Sequence, residues 1–383
     1  MSDGSSPSPA GVSILEQGLV VFDRFTLNHA LGRGRMGAVW SARDRELEQD
    51  VALKFLPDVI SHDHGAISDV KRATKRMLSL DHRHIIRIHD FVQDKIGAAI
   101  SMELVDGETL SGLRVQRPNR CFNVDELGPW MQQICEALAY AHEEAKIVHR
   151  DIRPDNIMLA SGNSIKIADF GIAFEIHESV SRLSAHNPST NLIYISPQQA
   201  RGDRASVSDD LYALGATLYD LLTSKPPFFS GNIQHQLDSI TAPSMTARRV
   251  DLEVEGDPIP PVWEEAVAAC LAKDPSGRPQ SVRELASRLG LQLSTKTSID
   301  FSSVLKSAPV PAGATVDAAT VPAPAREDFG IRRAWTVAFA FGTLSCFPVF
   351  LLKEQWPWVI SVPIVLGVVF ALATDKSKWY SLK

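Results

Sequence analysis

A glycine-rich turn near the start of the sequence has the spacing of a phosphate-binding loop. Gly32, Gly34 and Gly37 are separated by one and two residues and lie between two strand-like runs. Glycine has no Cβ, so the backbone N–H groups of such a hairpin can approach phosphate oxygens closely. The residues after Gly37 form a strand-like run and not a helix, which argues against the similar dinucleotide-binding turn. The pattern therefore predicts a phosphate-binding hairpin.

A lysine ends the next strand-like run. Val51, Ala52 and Leu53 are apolar, and Lys54 follows them fifteen residues after Val39. By itself Lys54 also fits an ordinary surface lysine at the end of a strand. Its position after the glycine-rich turn favours a second contact to the same phosphate group.

The most specific motif lies in the middle of the chain. Residues 148–158 read Val-His-Arg-Asp-Ile-Arg-Pro-Asp-Asn-Ile-Met, and an Asp-Phe-Gly triplet begins thirteen residues after Asn156, at Asp169. Here the sequence resembles the protein kinase family, whose catalytic loop is H-R-D-x-x-x-x-N and whose metal-binding turn is D-F-G. The resemblance covers about residues 25–291, and its details are those of the bacterial eukaryotic-like serine/threonine kinases.

The resemblance implies a role for each matched side chain in phosphate transfer from ATP. It implies that Lys54 contacts the α- and β-phosphates and that Asn156 and Asp169 hold Mg²⁺ ions. Asp151 would orient the acceptor hydroxyl and take its proton, and Arg153 would carry positive charge near the γ-phosphate. ATP would also contact the three glycines and an adenine pocket formed by Leu31, Val39, Ala52, Met102, Glu103, Val105 and Met158.

The elements that must position these residues fall into two lobes. Short β-type runs, interrupted by one helix over Ser68 to Leu80, predict a small strand-rich lobe over about residues 21–105. From Leu127 onward apolar residues recur at helical spacing, which predicts a large helical lobe over about residues 106–293. The expected fold class is α+β, the two-lobed protein kinase fold.

Three positions depart from the family pattern. Ala73 stands where the small-lobe helix should carry a glutamate that pairs with the strand lysine, and Asp69, one turn earlier, is a candidate substitute. Gln198 replaces the glutamate of the family's A-P-E motif, so its contact with Arg278 should be a hydrogen bond and not an ion pair. Asn191 stands where this branch normally has threonine.

These departures leave two functions open. An active protein serine/threonine kinase is favoured, because Lys54, Asp151, Asn156 and Asp169 are all retained. The alternative is an ATP-binding pseudokinase that acts as a scaffold at the membrane. Reduced activity is also an expectation, since the lysine is held less firmly without its glutamate.

The segment from Phe174 to Thr190 is predicted to be a serine-rich loop. Its hydroxyl residues are candidate autophosphorylation sites: Ser179, Ser181, Ser184, Ser189 and Thr190. Arg150, beside the catalytic aspartate, is suited to pair with a phosphate placed there. The resemblance further implies that two copies meet to phosphorylate one another.

Composition excludes several other classes of protein. The 383 residues carry a formal charge of −6 and 44% hydrophobic residues, which gives enough apolar material for a core and no broad basic surface for nucleic acid. The four cysteines form no C-x-x-C pair, so we expect reduced thiols and no metal site of their own. Residues 1–20 are predicted to be disordered and do not resemble a signal peptide.

The C-terminal quarter predicts a membrane anchor. After an Ala/Pro/Ser-rich linker over residues 294–330, residues 331–376 contain two uncharged runs, at about 334–352 and 356–374, each near the length of a bilayer-spanning helix. Basic residues flank the pair on both sides, so the kinase lobes and the tail over residues 377–383 should face the cytoplasm. We therefore expect a multi-pass protein of the inner membrane, with a transmembrane helical hairpin. A buried hairpin of a soluble domain is the less favoured alternative.

Overall fold

The computed structural model describes residues 15–34, 37–95, 97–184 and 192–293. Within these residues a strand-rich lobe precedes a helix-rich lobe, as predicted. The predicted linker, the two apolar runs and the tail lie outside the described residues. No helix in the described part of the chain is long and apolar enough to span a bilayer.

The small lobe is built on one antiparallel sheet. Its strands are Val20–Val21 (β1), Phe25–Gly34 (β2), Gly37–Asp44 (β3), Gln49–Phe55 (β4), Ile88–Gln93 (β5) and Ala98–Glu103 (β6). Their order across the sheet is β1-β2-β3-β4-β6-β5. Leu15 and Leu19 pack against this sheet, so ordered packing begins before the predicted domain start at residue 21.

Two helices, Asp58–Ser61 (α1) and His64–Met77 (α2), connect β4 to β5. The Asp63 carboxylate accepts a hydrogen bond from the N–H of Ala66 and so caps α2. Val70, Ala73 and Met77 lie on one face of α2 at helical spacing, and all three are buried. The capped start and apolar face explain why α2 forms here.

The large lobe begins with a small sheet. Its strands, in the order β7-β8-β9, are Gly107–Thr109 (β7), Ile157–Ala160 (β8) and Ser164–Ile167 (β9). The remaining helices are Leu110–Val115 (α3), Val124–Glu143 (α4), Ile172–Ser184 (α5), Pro197–Ala200 (α6), Val207–Thr223 (α7), Ile233–Ser239 (α8), Met245–Asp251 (α9), Pro261–Cys270 (α10) and Val282–Arg288 (α11).

Helix α7 is the core of the large lobe. Every residue from Asp209 to Thr223 is buried, including the polar ones. A helix that is buried on all sides must satisfy its polar side chains internally. Asp210, in its first turn, therefore becomes an internal anchor for the loop that carries the candidate catalytic residues.

Helix α5 corrects one prediction. The sequence analysis predicts a loop from residue 174 onward, but the chain is helical from Ile172 to Ser184. The side chains of Ile172 and Ile176, one helical turn apart, are buried, and α5 packs against α1 and α2. This tertiary contact stabilises a segment whose serines alone indicate a loop.

Candidate active site

One face of the small-lobe sheet gathers the predicted nucleotide-binding side chains. Lys54 on β4 lies opposite Val39 on β3 and Ile100 on β6, and Ala52 lies opposite Met102. Directly opposed residues, and residues two apart on one strand, share a face of a sheet. The register therefore places Val39, Ala52, Lys54 and Met102 on the same side.

The three glycines differ in their surroundings. Gly37 has a φ of +110°, and a Cβ on it would lie 1.8 Å from the carbonyl oxygen of Phe55. Only glycine fits there, because it lets β3 pass close to β4. A Cβ on Gly32 or Gly34 would meet nothing within 4 Å, so the backbone at these two glycines is open on that side. That openness matches the predicted approach of a phosphate group.

Lys54 pairs with the aspartate of the Asp-Phe-Gly turn. Its Nζ lies 2.6 Å from Oδ2 of Asp169, and Lys54 is buried with 6% of its surface exposed. Asp69, the candidate substitute for the missing glutamate, does not fill that role, because its carboxylate pairs with Arg182 at 3.1 Å. Ala73 is fully buried. The Lys54 partner in this structure is thus a predicted metal ligand.

The backbone of the catalytic loop is fixed by Asp210. Its carboxylate accepts hydrogen bonds from the N–H groups of His149, at 2.7 Å, and Arg150, at 2.8 Å. The His142 imidazole Nε2 lies 2.7 Å from the same carboxylate. Burial tends to raise the pKa of Asp210, but the hydrogen bond from His142 and the neighbouring histidine charges outweigh it and lower that pKa.

Asp151 is buried beside this anchor, with 8% of its surface exposed. The Asn156 Nδ2 donates to its Oδ2 at 2.9 Å and to its backbone oxygen at 2.8 Å. Burial raises the pKa of Asp151 to about 6, against the lowering effects of Arg153 and of the Asn156 hydrogen bond. A carboxylate held in one orientation, with its pKa nearer to neutrality, is suited to accept a proton from a hydroxyl.

Arg153 contacts two residues of the large lobe. Its guanidinium lies 2.8 Å from the Asp155 carboxylate and 5.4 Å from the centre of the Tyr194 ring. The Tyr194 hydroxyl in turn donates to Asp220 at 2.7 Å, which ties the segment before α6 to α7. A position of Arg153 near the γ-phosphate stays a prediction from the resemblance.

The remaining predicted adenine contacts lie around the connection between the lobes. Val105 and Met158 are partly buried against the core, and Leu31 is 47% exposed. The backbone N–H of Glu103 donates to the carbonyl of Arg87 at 2.8 Å. This N–H therefore already has an acceptor within the protein. The hydrogen bond predicted between Glu103 and adenine would instead use the Glu103 carbonyl oxygen as the acceptor.

The donor set suits the magnesium ions implied by the resemblance. Asp169 offers a carboxylate, and Asn156 offers the amide oxygen left over when its nitrogen binds Asp151. Mg²⁺ prefers such hard oxygen ligands and usually takes the rest of its shell from water and nucleotide phosphates. In the described part of the chain no three His, Cys, Asp or Glu side chains converge into a metal site of their own.

The predicted hydrogen bond at the A-P-E position is confirmed. Arg278 Nη2 donates to the Gln198 Oε1 at 2.6 Å, and Arg278 is 1% exposed. Arg278 also donates to neutral acceptors: the backbone oxygens of Ala272, Lys273 and Ser208 and the Ser208 hydroxyl. Burial lowers the pKa of this guanidinium. The contact is structural and lies away from the nucleotide groups.

Glu175 is a residue of the site that was not predicted from the sequence. Its carboxylate lies 3.5 Å from the guanidinium of Arg150 in the catalytic loop and 3.9 Å from that of Arg76 on α2. Arg150, predicted to meet a phosphate, is thus paired with a carboxylate in this structure. The four-residue spacing of Ile172 and Ile176 was the available signal for a helix that would carry Glu175 to this position.

Comparison with known proteins agrees with this geometry. Residues 25–288 match the family model described as protein kinase domain. The serine/threonine-protein kinase PknB of Mycobacterium leprae is 32% identical over 282 residues, which is 70% of this chain and 42% of PknB. PknB of Mycobacterium tuberculosis is 33% identical over 283 residues, with the same two shares. The chain thus matches about two fifths of the length of these relatives.

The fold has counterparts among solved structures. The crystal structure of the Mycobacterium tuberculosis PknI kinase domain aligns with a TM-score of 0.57 and 28% sequence identity. The alignment covers 72% of this chain and 98% of the PknI domain. The described lobes therefore match essentially the whole of that kinase domain.

Proposed function

Because the chain belongs to the bacterial eukaryotic-like serine/threonine protein kinase family, we propose that it transfers the γ-phosphate of ATP to serine and threonine hydroxyls of proteins. The observation that carries the proposal is the state of Asp151. Its carboxylate is buried, oriented by Asn156 and raised in pKa to about 6. A pseudokinase would gain nothing from such a carboxylate, because an unneutralised buried acid costs stability.

Each side chain has a distinct task in the proposed reaction. Lys54 binds the α- and β-phosphates. Asn156 and Asp169 would hold magnesium, which neutralises charge on the phosphate oxygens when bound. Asp151 orients the acceptor hydroxyl and takes its proton as the oxygen bonds to the γ-phosphorus. Arg153 adds positive charge close to the transferred group.

A transfer assay tests this proposal. Full-length protein, purified in mild detergent and treated with phosphatase, is incubated with γ-labelled MgATP and a generic basic protein. We expect label on serine and threonine in the wild type and none with Asp151→Asn. Asp125→Asn is the control, since Asp125 is an exposed aspartate in the first turn of α4. Equal labelling by wild type and Asp151→Asn would refute the assigned role.

A second candidate function has an observation in its favour. Ala73 is buried and offers Lys54 no carboxylate, which is a feature expected of a chain that binds ATP without transferring phosphate. This pseudokinase scaffold predicts that MgATP raises the melting temperature while no acceptor is labelled. The proposed kinase predicts both effects.

We also propose that the chain is anchored in the inner membrane by its two apolar runs, with the kinase lobes in the cytoplasm. The support is the length of the runs, about 334–352 and 356–374, and their basic flanks. Full-length protein should stay in the membrane pellet after alkaline carbonate washing, whereas a chain ending at residue 293 should be released. Release of both would refute the anchor.

Two copies on one membrane would meet often, and we propose that they phosphorylate each other. Mixing active protein with a larger tagged Asp151→Asn copy tests this. Labelling of the tagged copy is expected. Labelling that stays confined to the active copy at every protein concentration would refute it.

A further inference from the structure

Helix α2 presents a basic surface to solvent. Its exposed residues include Lys71 and Lys75, four positions apart, and Arg72 and Arg76, also four positions apart. Residues at this spacing are neighbours on the surface of a helix. The apolar residues of α2 are buried against the rest of the small lobe, so they do not interrupt the basic surface. We call these four side chains the α2 basic face.

The positive charge of this face is only partly compensated. Helix α2 carries the four cations and one carboxylate, that of Asp69, which gives a net charge of +3 on a chain whose formal charge is −6. Asp69 pairs with Arg72 at 2.6 Å, and Arg76 lies 3.9 Å from a carboxylate of α5. Lys71 and Lys75 form no ion pair with other residues that the structure describes. The α2 basic face is therefore a local positive surface on an acidic protein.

An exposed apolar side chain adjoins the cations. Leu78, the residue directly after α2, has 46% of its surface exposed. Lysine and arginine side chains combine an apolar stem with a charged end. A surface of this kind suits a membrane interface, where acidic headgroups lie next to acyl chains.

Charge complementarity requires an acidic partner, and the proposed anchor keeps the lobes close to one. Residues 294–330 separate the described lobes from the proposed anchor, and even a fully extended segment of this length spans only about 130 Å. The cytoplasmic leaflet contains anionic lipids, which attract basic side chains within about one Debye length. Each lysine or arginine close to such a leaflet strengthens binding about fivefold.

We propose that the α2 basic face binds the acidic headgroups of the membrane in which the chain is anchored. The inference rests on the proposed anchor and adds to it a preference for anionic phospholipids over neutral ones. Because the apolar side of α2 stays packed in the small lobe, the attraction is mainly electrostatic. It should therefore weaken as the salt concentration rises.

Amine labelling of the protein in a bilayer tests this proposal. Full-length protein is reconstituted into nanodiscs of phosphatidylcholine, with or without phosphatidylglycerol, and acetylation of each lysine by a neutral reagent is followed by mass spectrometry. We expect Lys71 and Lys75 to react about tenfold more slowly when phosphatidylglycerol is present. Lys146 and Lys225 are exposed lysines of the large lobe, and their rates should change by less than about twofold. High salt should remove the difference.

Two pairs of arginines provide matched variants. Arg72→Gln combined with Arg76→Gln removes two charges from the α2 basic face, and it should abolish most of the slowing at the two lysines of that face. Arg43→Gln combined with Arg45→Gln removes two exposed charges elsewhere in the small lobe, and it should preserve the slowing. Acetylation requires no phosphate transfer, so the result is independent of the proposed kinase activity.

Slowing that is confined to α2 and lost in the Arg72 and Arg76 variant supports the proposal. Equal rates in the two kinds of nanodisc would overturn it, as would equal slowing at all four lysines or unchanged slowing in that variant. Slowing by added polyglutamate in neutral discs, with none caused by phosphatidylglycerol, would also overturn it and indicate an acidic protein as the partner. Protein that enters neither kind of disc would refute the anchor, and this inference with it.

Discussion

Replacing the buried carboxylate of Asp151 should make the protein both inactive and more stable. Burial raises the pKa of Asp151 from 3.8 to about 6. A shift of that size means that ionised Asp151 costs the folded state about 3 kcal/mol at neutral pH. Asp151→Asn removes this cost and keeps an oxygen for the Asn156 amide. We expect a rise in melting temperature of about 5–10 °C at pH 7.

The gain in stability of Asp151→Asn over wild type should increase as the pH rises. Below the unfolded pKa of 3.8 the carboxyl is protonated in both states, so the variant and wild type should be equally stable. The penalty grows as pH rises between 3.8 and about 6 and is constant above the folded pKa. At pH 5 roughly half of the neutral-pH gain should remain. Thermal unfolding of nucleotide-free wild type and Asp151→Asn from pH 5 to 8 measures this difference in stability.

Asp125→Asn is the control for this measurement, because Asp125 is an exposed aspartate in the first turn of α4. Its melting temperature should lie within about 2 °C of the wild-type value at pH 7. The reasoning is refuted if Asp151→Asn is no more stable than wild type at pH 7. It is also refuted if the gain is the same at pH 5 and pH 8.

Other substitutions test separate parts of the account. Gln198→Leu should lower the melting temperature by about 2–8 °C, because it removes the hydrogen bond from the buried Arg278 guanidinium and the one that the Gln198 amide donates to the Lys273 carbonyl; an unchanged or higher value in thermal unfolding would contradict this. Lys54→Met should lower kcat/KM for ATP by at least about 100-fold in steady-state assays, and a loss below tenfold would exclude its phosphate-binding role.

The sequence predicted those parts of the site that depend on short-range order. The spacing of Gly32, Gly34 and Gly37 and the apolar run before Lys54 predict adjacent strands, whose register then places the lysine next to the hairpin. The catalytic loop is equally local, since Asn156 reaches Asp151 five residues away. Such contacts follow from neighbouring residues and need no knowledge of the tertiary fold.

Ion pairs between residues that lie far apart in the sequence could not be predicted in this way. The sequence offered Asp69 as a partner for Lys54, because Asp69 lies one helical turn before Ala73. The structure pairs Lys54 with Asp169, 115 residues away, and Asp69 with Arg182. These choices depend on where α5 docks, and α5 itself forms because its apolar face finds α2. Local composition contains Ser179 but not the surface that buries it.

The central claim is that the chain transfers phosphate although Ala73 replaces the glutamate that would hold Lys54. Intact-mass spectrometry of phosphatase-treated, full-length protein after incubation with MgATP tests it most directly. The account predicts a mass increase equal to whole phosphoryl groups in the wild type and no increase in Asp151→Asn. An unchanged wild-type mass, at MgATP concentrations that raise its melting temperature, would contradict the claim and identify an ATP-binding pseudokinase.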